Sequence, residues 1–320
     1  MRSRLTLLVS AAVLAALLVP PRTSARSDVL SVRPAQEDRP HFQNEPFYFH
    51  RDRSDFDVRD ESTISRTLRF DSSGKRELDV RAMHGSIRVI GADRSDVQLD
   101  VLRTVRANTD EDLIVADRDV TLDIVDAAPR IEAIVREKDG GVCGEFWNER
   151  GPWRRPQYVV TYDFAIEVPR DTRLRLCTID GRELLVEGTT GAFELDNVNG
   201  RITMANVRGS GSARTVNGPI VARFAEQPRD PSAFRTVNGQ VVIGFPAALD
   251  ADLRMKTFNG GLFTDFDVQS LPQPVAVAER RGGGFVYRAN QFTLVRAGRG
   301  GPELTFETHN GSVRVIRAER

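Results

Sequence analysis

The pentapeptide Arg-Thr-Val-Asn-Gly stands at Arg214–Gly218 and again at Arg235–Gly239. Taking the Asn, or the residue that replaces it, as origin, the motif recurs at His84, Asp180, Asn199, Asn217, Asn238, Asn259 and Asn310, each followed by Gly. From Asp180 onward the separations are 19, 18, 21, 21 and 51 residues. Two positions before the origin stand Thr178, Thr215, Thr236, Thr257 and Thr308, with Ala82 and Asn197 departing. Four before it stand Val80, Leu176, Leu195, Ala213, Phe234, Met255 and Phe306, and three after it Ile87, Ile202, Ile220, Val241, Leu262 and Val313. Only Glu183 breaks that last column. Alternation of period two on both sides of a tight turn specifies strands. Gly and β-branched residues interrupt every candidate helix from 170 to 320.

The chain is therefore expected to be all-β, and two architectures fit. One is a parallel β-helix or β-solenoid with coils of about 18–21 residues, in which Asn-Gly is a recurring corner and like side chains stack. The alternative is an antiparallel β-hairpin meander with two-residue turns, facing Thr215 with Ile220 and Ala213 with Ala222. The solenoid is preferred, because a meander has no reason to keep Thr at one offset. In either case Asp180-Gly181, Asn199-Gly200, Asn217-Gly218, Asn238-Gly239, Asn259-Gly260 and Asn310-Gly311 are structural turns. The Gly is expected to supply a positive φ, and amide side chains stacked at a corner are expected to satisfy one another where they are buried.

Three segments carry a family resemblance: Tyr162–Ile220, Gly298–Ile316, and Glu77–Asp93 with His84 where Asn is usual. They resemble the bacterial DUF4097 family of adhesin-like proteins, over a region running from Arg69 to Ile316. The resemblance implies a β-solenoid-like fold and an exported or envelope setting, and it brings no catalytic motif.

The ends support export. Arg2 and Arg4 precede the apolar run Leu5–Val19, Pro20 and Pro21 break it, and Thr23-Ser24-Ala25 suits a signal-peptidase site. Residues 1–25 are read as a signal peptide, 26–68 as a flexible N-terminal segment, and 69–320 as the adhesin-like β-repeat domain. Fifteen apolar residues are too short to span a hydrocarbon core of about 30 Å, so no transmembrane anchor is expected after cleavage. Removing Arg2, Arg4 and Arg22 from 45 basic residues leaves 42 against 45 acidic ones. Such a balance gives no reason to expect nucleic-acid binding. Cys143 and Cys177 are the two cysteines. In an oxidising compartment an even count favours a disulfide over two separate buried thiols.

Between the repeats, Asn108 or Thr109 could cap a short helix opening on Asp110, Glu111 and Asp112. The segment Asp139–Gln157 breaks the strand pattern and holds Trp147 and Trp153 beside Arg154 and Arg155. These four residues are a candidate binding loop for an envelope protein or a glycan, set against a lid stapled by Cys143. Asp267–Gly301, with its Gly runs, is expected as a flexible excursion. No pair among His41, His50, His84 and His309 has metal-ligand spacing, and no cofactor motif is present. The acids Asp250, Asp252, Asp265 and Asp267 are read as turn residues. The expected function is a non-catalytic exported adhesin-like or scaffold protein. The alternative is a carbohydrate-active β-helix enzyme, a polysaccharide lyase or hydrolase.

Overall fold

The computed structural model describes residues 56–70, 75–127, 129–138, 142–144, 157–272, 277–281, 284–288 and 292–318. In chain order the strands are β1 (Val58–Arg69), β2 (Glu77–His84), β3 (Ile87–Ala92) and β4 (Asp96–Ala107). Helix α1 (Asp110–Asp119) follows, then β5 (Val120–Ala127), β6 (Arg130–Glu137), β7 (Tyr158–Pro169), β8 (Arg173–Asp180) and β9 (Glu183–Glu187). The repeats continue with β10 (Phe193–Asn197), β11 (Arg201–Val207), β12 (Gly211–Arg214), β13 (Ile220–Phe224), β14 (Ser232–Arg235) and β15 (Val241–Phe245). Last come β16 (Ala251–Asn259), β17 (Leu262–Thr264), β18 (Val268–Ser270), β19 (Val277–Arg281), β20 (Gly284–Arg288), β21 (Thr293–Ala297), β22 (Glu303–Asn310) and β23 (Val313–Arg317).

The strands form two large mixed sheets and a separate two-stranded pair, β19–β20. The ten-stranded sheet runs β1-β4-β7-β3-β9-β11-β13-β15-β23-β17, and the eleven-stranded sheet runs β18-β21-β16-β22-β14-β12-β10-β8-β2-β6-β5. Each Gly-containing corner carries the chain from the second sheet to the first. β12 pairs in parallel with β10 and β14, while β13 pairs in parallel with β11 and β15. Thr215 and Ile220 therefore lie in different sheets, and the hairpin-meander alternative fails at the corners. The parallel repeats are not the whole fold, because antiparallel pairs flank them: β1–β4–β7, β5–β6 and β18–β21–β16.

The 51-residue gap has a topological cause. β22 lies between β14 and β16, and β23 lies between β15 and β17. The chain builds the outermost repeat first, then returns to fill the slot beneath it. The segment expected as a flexible excursion contains β18 and β21, which join the eleven-stranded sheet, and the β19–β20 pair. At the other end, β1 begins at Val58, inside the stretch expected as a flexible N-terminal segment, and runs along the sheet edge beside β4. Its charged sequence and almost wholly exposed faces suit an edge that must not recruit another strand.

The core is the space between the two sheets, filled by the columns the alternation picked out. Leu176, Leu195, Ala213, Phe234 and Phe306 face Ile202, Ile220, Val241 and Val313, all buried. The Glu183 exception has a simple origin. Its corner is one residue longer, so Leu184 and Val186 take the inward places in register with Ile202 and Met204. Where the columns would leave room beside Ala213 and Ala222, aromatic rings fill it. Phe234 stacks on Phe306 at 5.6 Å and meets Phe224 edge-on at 5.9 Å, and Phe224 stacks on Phe245 at 5.2 Å. Helix α1 has Thr109 as its N-cap, whose hydroxyl accepts from the Asp112 amide at 3.2 Å.

Replacing Phe234 by Ala empties the centre of this cluster and is expected to destabilise the fold by about 3–5 kcal/mol. Equilibrium denaturation checks this; a loss below about 1 kcal/mol would mean that the rings are not packed as described.

Candidate functional site

Each repeat brings polar groups together at its corner. Thr at position −2 points inward and donates to the Gly carbonyl of the neighbouring corner. The bonds are Thr178 to Gly85 (3.0 Å), Thr215 to Gly200 (2.9 Å) and Thr236 to Gly218 (2.8 Å). Thr308 donates likewise to Gly239 (2.8 Å) and Thr257 to Gly311 (2.7 Å). Asn197 replaces Thr without losing the bond, since its Nδ2 donates to the Gly181 carbonyl at 2.9 Å. The recurring Thr thus meets the next backbone, not the next Thr.

Close approach is what all these corners ask of the Gly, while the expected positive φ holds at only some of them. Gly85, Gly200 and Gly311 do have positive φ, at +123°, +159° and +151°, but Gly181, Gly218, Gly239 and Gly260 do not. A Cβ on Gly218 would stand 2.2 Å from the Gly200 carbonyl oxygen, and one on Gly239 2.1 Å from that of Gly218. No side chain fits between corners stacked this tightly.

The Asn side chains form a directional ladder that is exposed at the corner, not buried as expected. Asn259 donates to Asn310 (2.7 Å), Asn310 to Asn238 (2.7 Å), Asn238 to Asn217 (2.8 Å) and Asn217 to Asn199 (2.7 Å). Asn199 donates to the Asp180 carboxylate at 2.6 Å, so the chain of amides ends on an anion. His84 Nδ1 lies 3.2 Å from the other Asp180 oxygen. The His84 hydrogen bond, with help from Asn199 and against partial burial, holds the Asp180 carboxyl below the usual carboxylate range.

Position −1 carries an apolar stripe beside the ladder. Val216, Val237 and Phe258 are exposed, at 38, 42 and 67 % respectively. The His309 ring lies flat on Phe258, with centroids 4.8 Å apart. This stripe was missed in the sequence, although the second identical Val in the two pentapeptides was its signal.

The remaining candidates divide. Cys143 and Cys177 form a disulfide with Cα atoms 5.7 Å apart, tying the buried Val142–Cys143 segment to strand β8. Trp147, Trp153, Arg154 and Arg155 lie outside the described residues. The acids of the 250–267 region are engaged by arginines or backbone. Asp250 meets Arg299 at 2.7 Å, Asp252 meets Arg296 through two bonds of 2.7 and 2.8 Å, and Asp265 accepts from the Arg317 amide at 3.2 Å. These hydrogen bonds lower the pKa of Asp250 and Asp252, the opposite of what a general acid requires. Among the described residues no group of His, Cys, Asp and Glu could hold a metal ion, and no helix is long and apolar enough to cross a membrane.

The outer face of the eleven-stranded sheet bears a shallow depression of about 390 Å³. Short side chains, Ser212, Ala233 and Thr305, floor it, and Arg214, Arg235, Glu194 and Glu303 stand around it. Near it, burial raises the pKa of Asp196 and Glu194 adds to the effect, while Arg214 and Arg175 oppose it.

Neither a family model nor a curated protein matches the chain. Among solved structures, a "putative cell adhesion protein" from Clostridium sporogenes ATCC 15579 is similar at 9% identity and TM-score 0.39, over 81% of this chain and 100% of that one. A "putative adhesin" from Bacteroides fragilis NCTC 9343 is similar at 8% identity and TM-score 0.31, over 80% of this chain and 97% of that one.

Two outcomes test the corner. Thr215→Val removes a buried donor and should cost about 1 kcal/mol by denaturation, and Gly218→Ala should cost more because the neighbouring carbonyl must move. Equal, negligible effects would contradict the ladder. For Asp180, a lowered folded pKa means stability that is present above the ordinary carboxylate pKa and lost as pH falls through the folded value. Asp180→Asn should therefore flatten the acid limb of the melting profile below about pH 4 and leave the neutral range nearly parallel to wild type.

Proposed function

We propose that this is an exported, non-catalytic, adhesin-like protein in which a short β-solenoid holds a binding surface rigid. The observation that carries the reading is the corner itself. Stacked turns lock into one hydrogen-bonded ladder, and an ordered, exposed apolar stripe is left beside it. Stripes of this kind mark interaction surfaces. Export is supported by the signal-peptide pattern of residues 1–25, and an oxidising compartment by the Cys143–Cys177 disulfide. The resemblance to DUF4097 adds the envelope as the setting, with a glycan or an envelope protein as the partner. Trp147, Trp153, Arg154 and Arg155, which follow Cys143 in the sequence, remain the proposed binding loop.

A carbohydrate-active enzyme is the second reading, and Asp196 is the observation that favours it. A carboxyl raised by burial, with Glu194 two residues away on the same strand face, is the kind of pair that general acid catalysis uses. Screening the mature chain against glycans and cell-envelope fractions, for retention and for cleavage products together, separates the two. Retention without product, weakened by replacing Trp147 and Trp153 together, is the expected result. Product release that Asp196→Asn abolishes would replace this proposal with the enzymatic one.

A further inference from the structure

The corner accounts for four of the five letters repeated in the pentapeptide. Thr, Asn and Gly tie neighbouring corners together, and Val forms the apolar stripe. Arg at position −3 is not needed for either, because other repeats have Cys177, Asp196, Lys256 or Glu307 there, and Arg recurs outside the pentapeptides only at Arg81. Only the two identical copies place Arg there in successive coils, and those coils are adjacent. Arg214 and Arg235 are directly in register on the parallel strands β12 and β14, with side chains on the outer face. Strands of a sheet are about 4.8 Å apart, and like charges directly opposite one another destabilise a sheet.

The flanking acids relieve this only in part. Arg235 has Glu307 at 3.6 Å. Arg214 is exposed and makes no hydrogen bond or close ion pair among the described residues, and its attraction to Asp196 acts without one. An arginine presents five N–H donors in a fork suited to carboxylates.

The surroundings narrow the ligand. The floor beside the pair is Ser212, Ala233 and Thr305, so a chain can lie close to the sheet. The strands beneath are central, with both backbone edges already paired, so a peptide cannot bind there by adding a strand. Glu194 and Glu303 border the same depression. They would repel a densely charged polyanion but accept hydrogen bonds from hydroxyl groups. A chain with one carboxylate per ring, spaced apart by hydroxyl-bearing carbons, is the chemistry of sugar acids.

We propose that the Arg214–Arg235 pair, above the Ser212–Ala233–Thr305 floor, binds the carboxylates of an acidic, uronate-type polysaccharide. The proposal deepens the binding-protein reading and rests on it for the claim that the partner lies outside the cell.

Calorimetric titration of the mature chain with an oligogalacturonate tests the site. Binding should weaken with added salt and disappear with the methyl-esterified oligosaccharide. Arg214→Gln/Arg235→Gln should weaken it by about tenfold or more, the loss expected for hydrogen bonds to a charged group. Arg136→Gln, on strand β6 away from the depression, should leave it unchanged. The single variants repeat the test with one guanidinium kept, should the double variant fold poorly. No oligogalacturonate binding, equal affinity in the double variant, or preference for inorganic phosphate or polyglutamate would overturn the proposal. The two readings fail separately. Envelope retention by a chain that does not bind oligogalacturonate sinks this site alone. Oligogalacturonate binding without envelope retention sinks the cell-surface reading alone.

Discussion

The fold depends on a hydrogen bond that crosses from one corner to the next. A donor at position −2 reaches the Gly carbonyl of the adjacent repeat, and the bond recurs from Thr178 through Thr257. A buried backbone carbonyl must find a partner, and at a sheet-to-sheet corner the ladders cannot supply all of them. The same bond dictates the rest of the motif. Corners must approach until no Cβ fits, which excludes everything but Gly. The Asn side chains then fall within reach of one another and form a second, exposed chain of bonds ending on Asp180.

The stack also explains how the C-terminal part of the chain is held. β22 and β23 are covered on both sides, by β14 and β15 below and by β16 and β17 above. Asn310 receives the Asn259 amide and donates to Asn238, residues 51 and 72 positions away. Phe306 likewise faces Phe234 across that distance in sequence. The final repeat is thus a wedge between two earlier ones, and its contacts are among the least local in the structure.

Much of this was written in the sequence, and the remainder was missing for physical reasons. Period-two alternation around Asn-Gly gave the inward columns, and Asn108 or Thr109 ahead of three acids marked the helix start. Even the Glu183 exception was visible as a break, although one extra corner residue is seen only in register. The order of repeats was not legible, because the 21-residue steps on both sides of Asn238 look alike while only the first joins neighbours. Nothing local in β22 announces the slot it fills. The role of Gly was legible only in part, for a related reason. Close approach between corners is a property of the stack, whereas a positive φ is a property of one residue. At the candidate sites, side-chain identity could be read but juxtaposition could not. Arg214 and Arg235 become a pair, and His309 with Phe258 becomes a stack, only after the parallel strands align.

The ladder leaves the side chains at positions −1 and −3 outside its bonds, on a surface whose spacing it fixes. The central claim is therefore the stacking order of the corners, and disulfide trapping tests it most directly. Neighbouring strands put Cα atoms about 4.8 Å apart, inside the range of about 4.4–6.8 Å that a disulfide tolerates, and alternate strands lie about twice as far apart. Under oxidation, Asn238→Cys with Asn310→Cys should close a bond on peptide mapping, while Asn238→Cys with Asn259→Cys should stay open. Closure of the second pair and not the first would mean that the repeats stack in sequence order, which would contradict the wedged position of the final repeat.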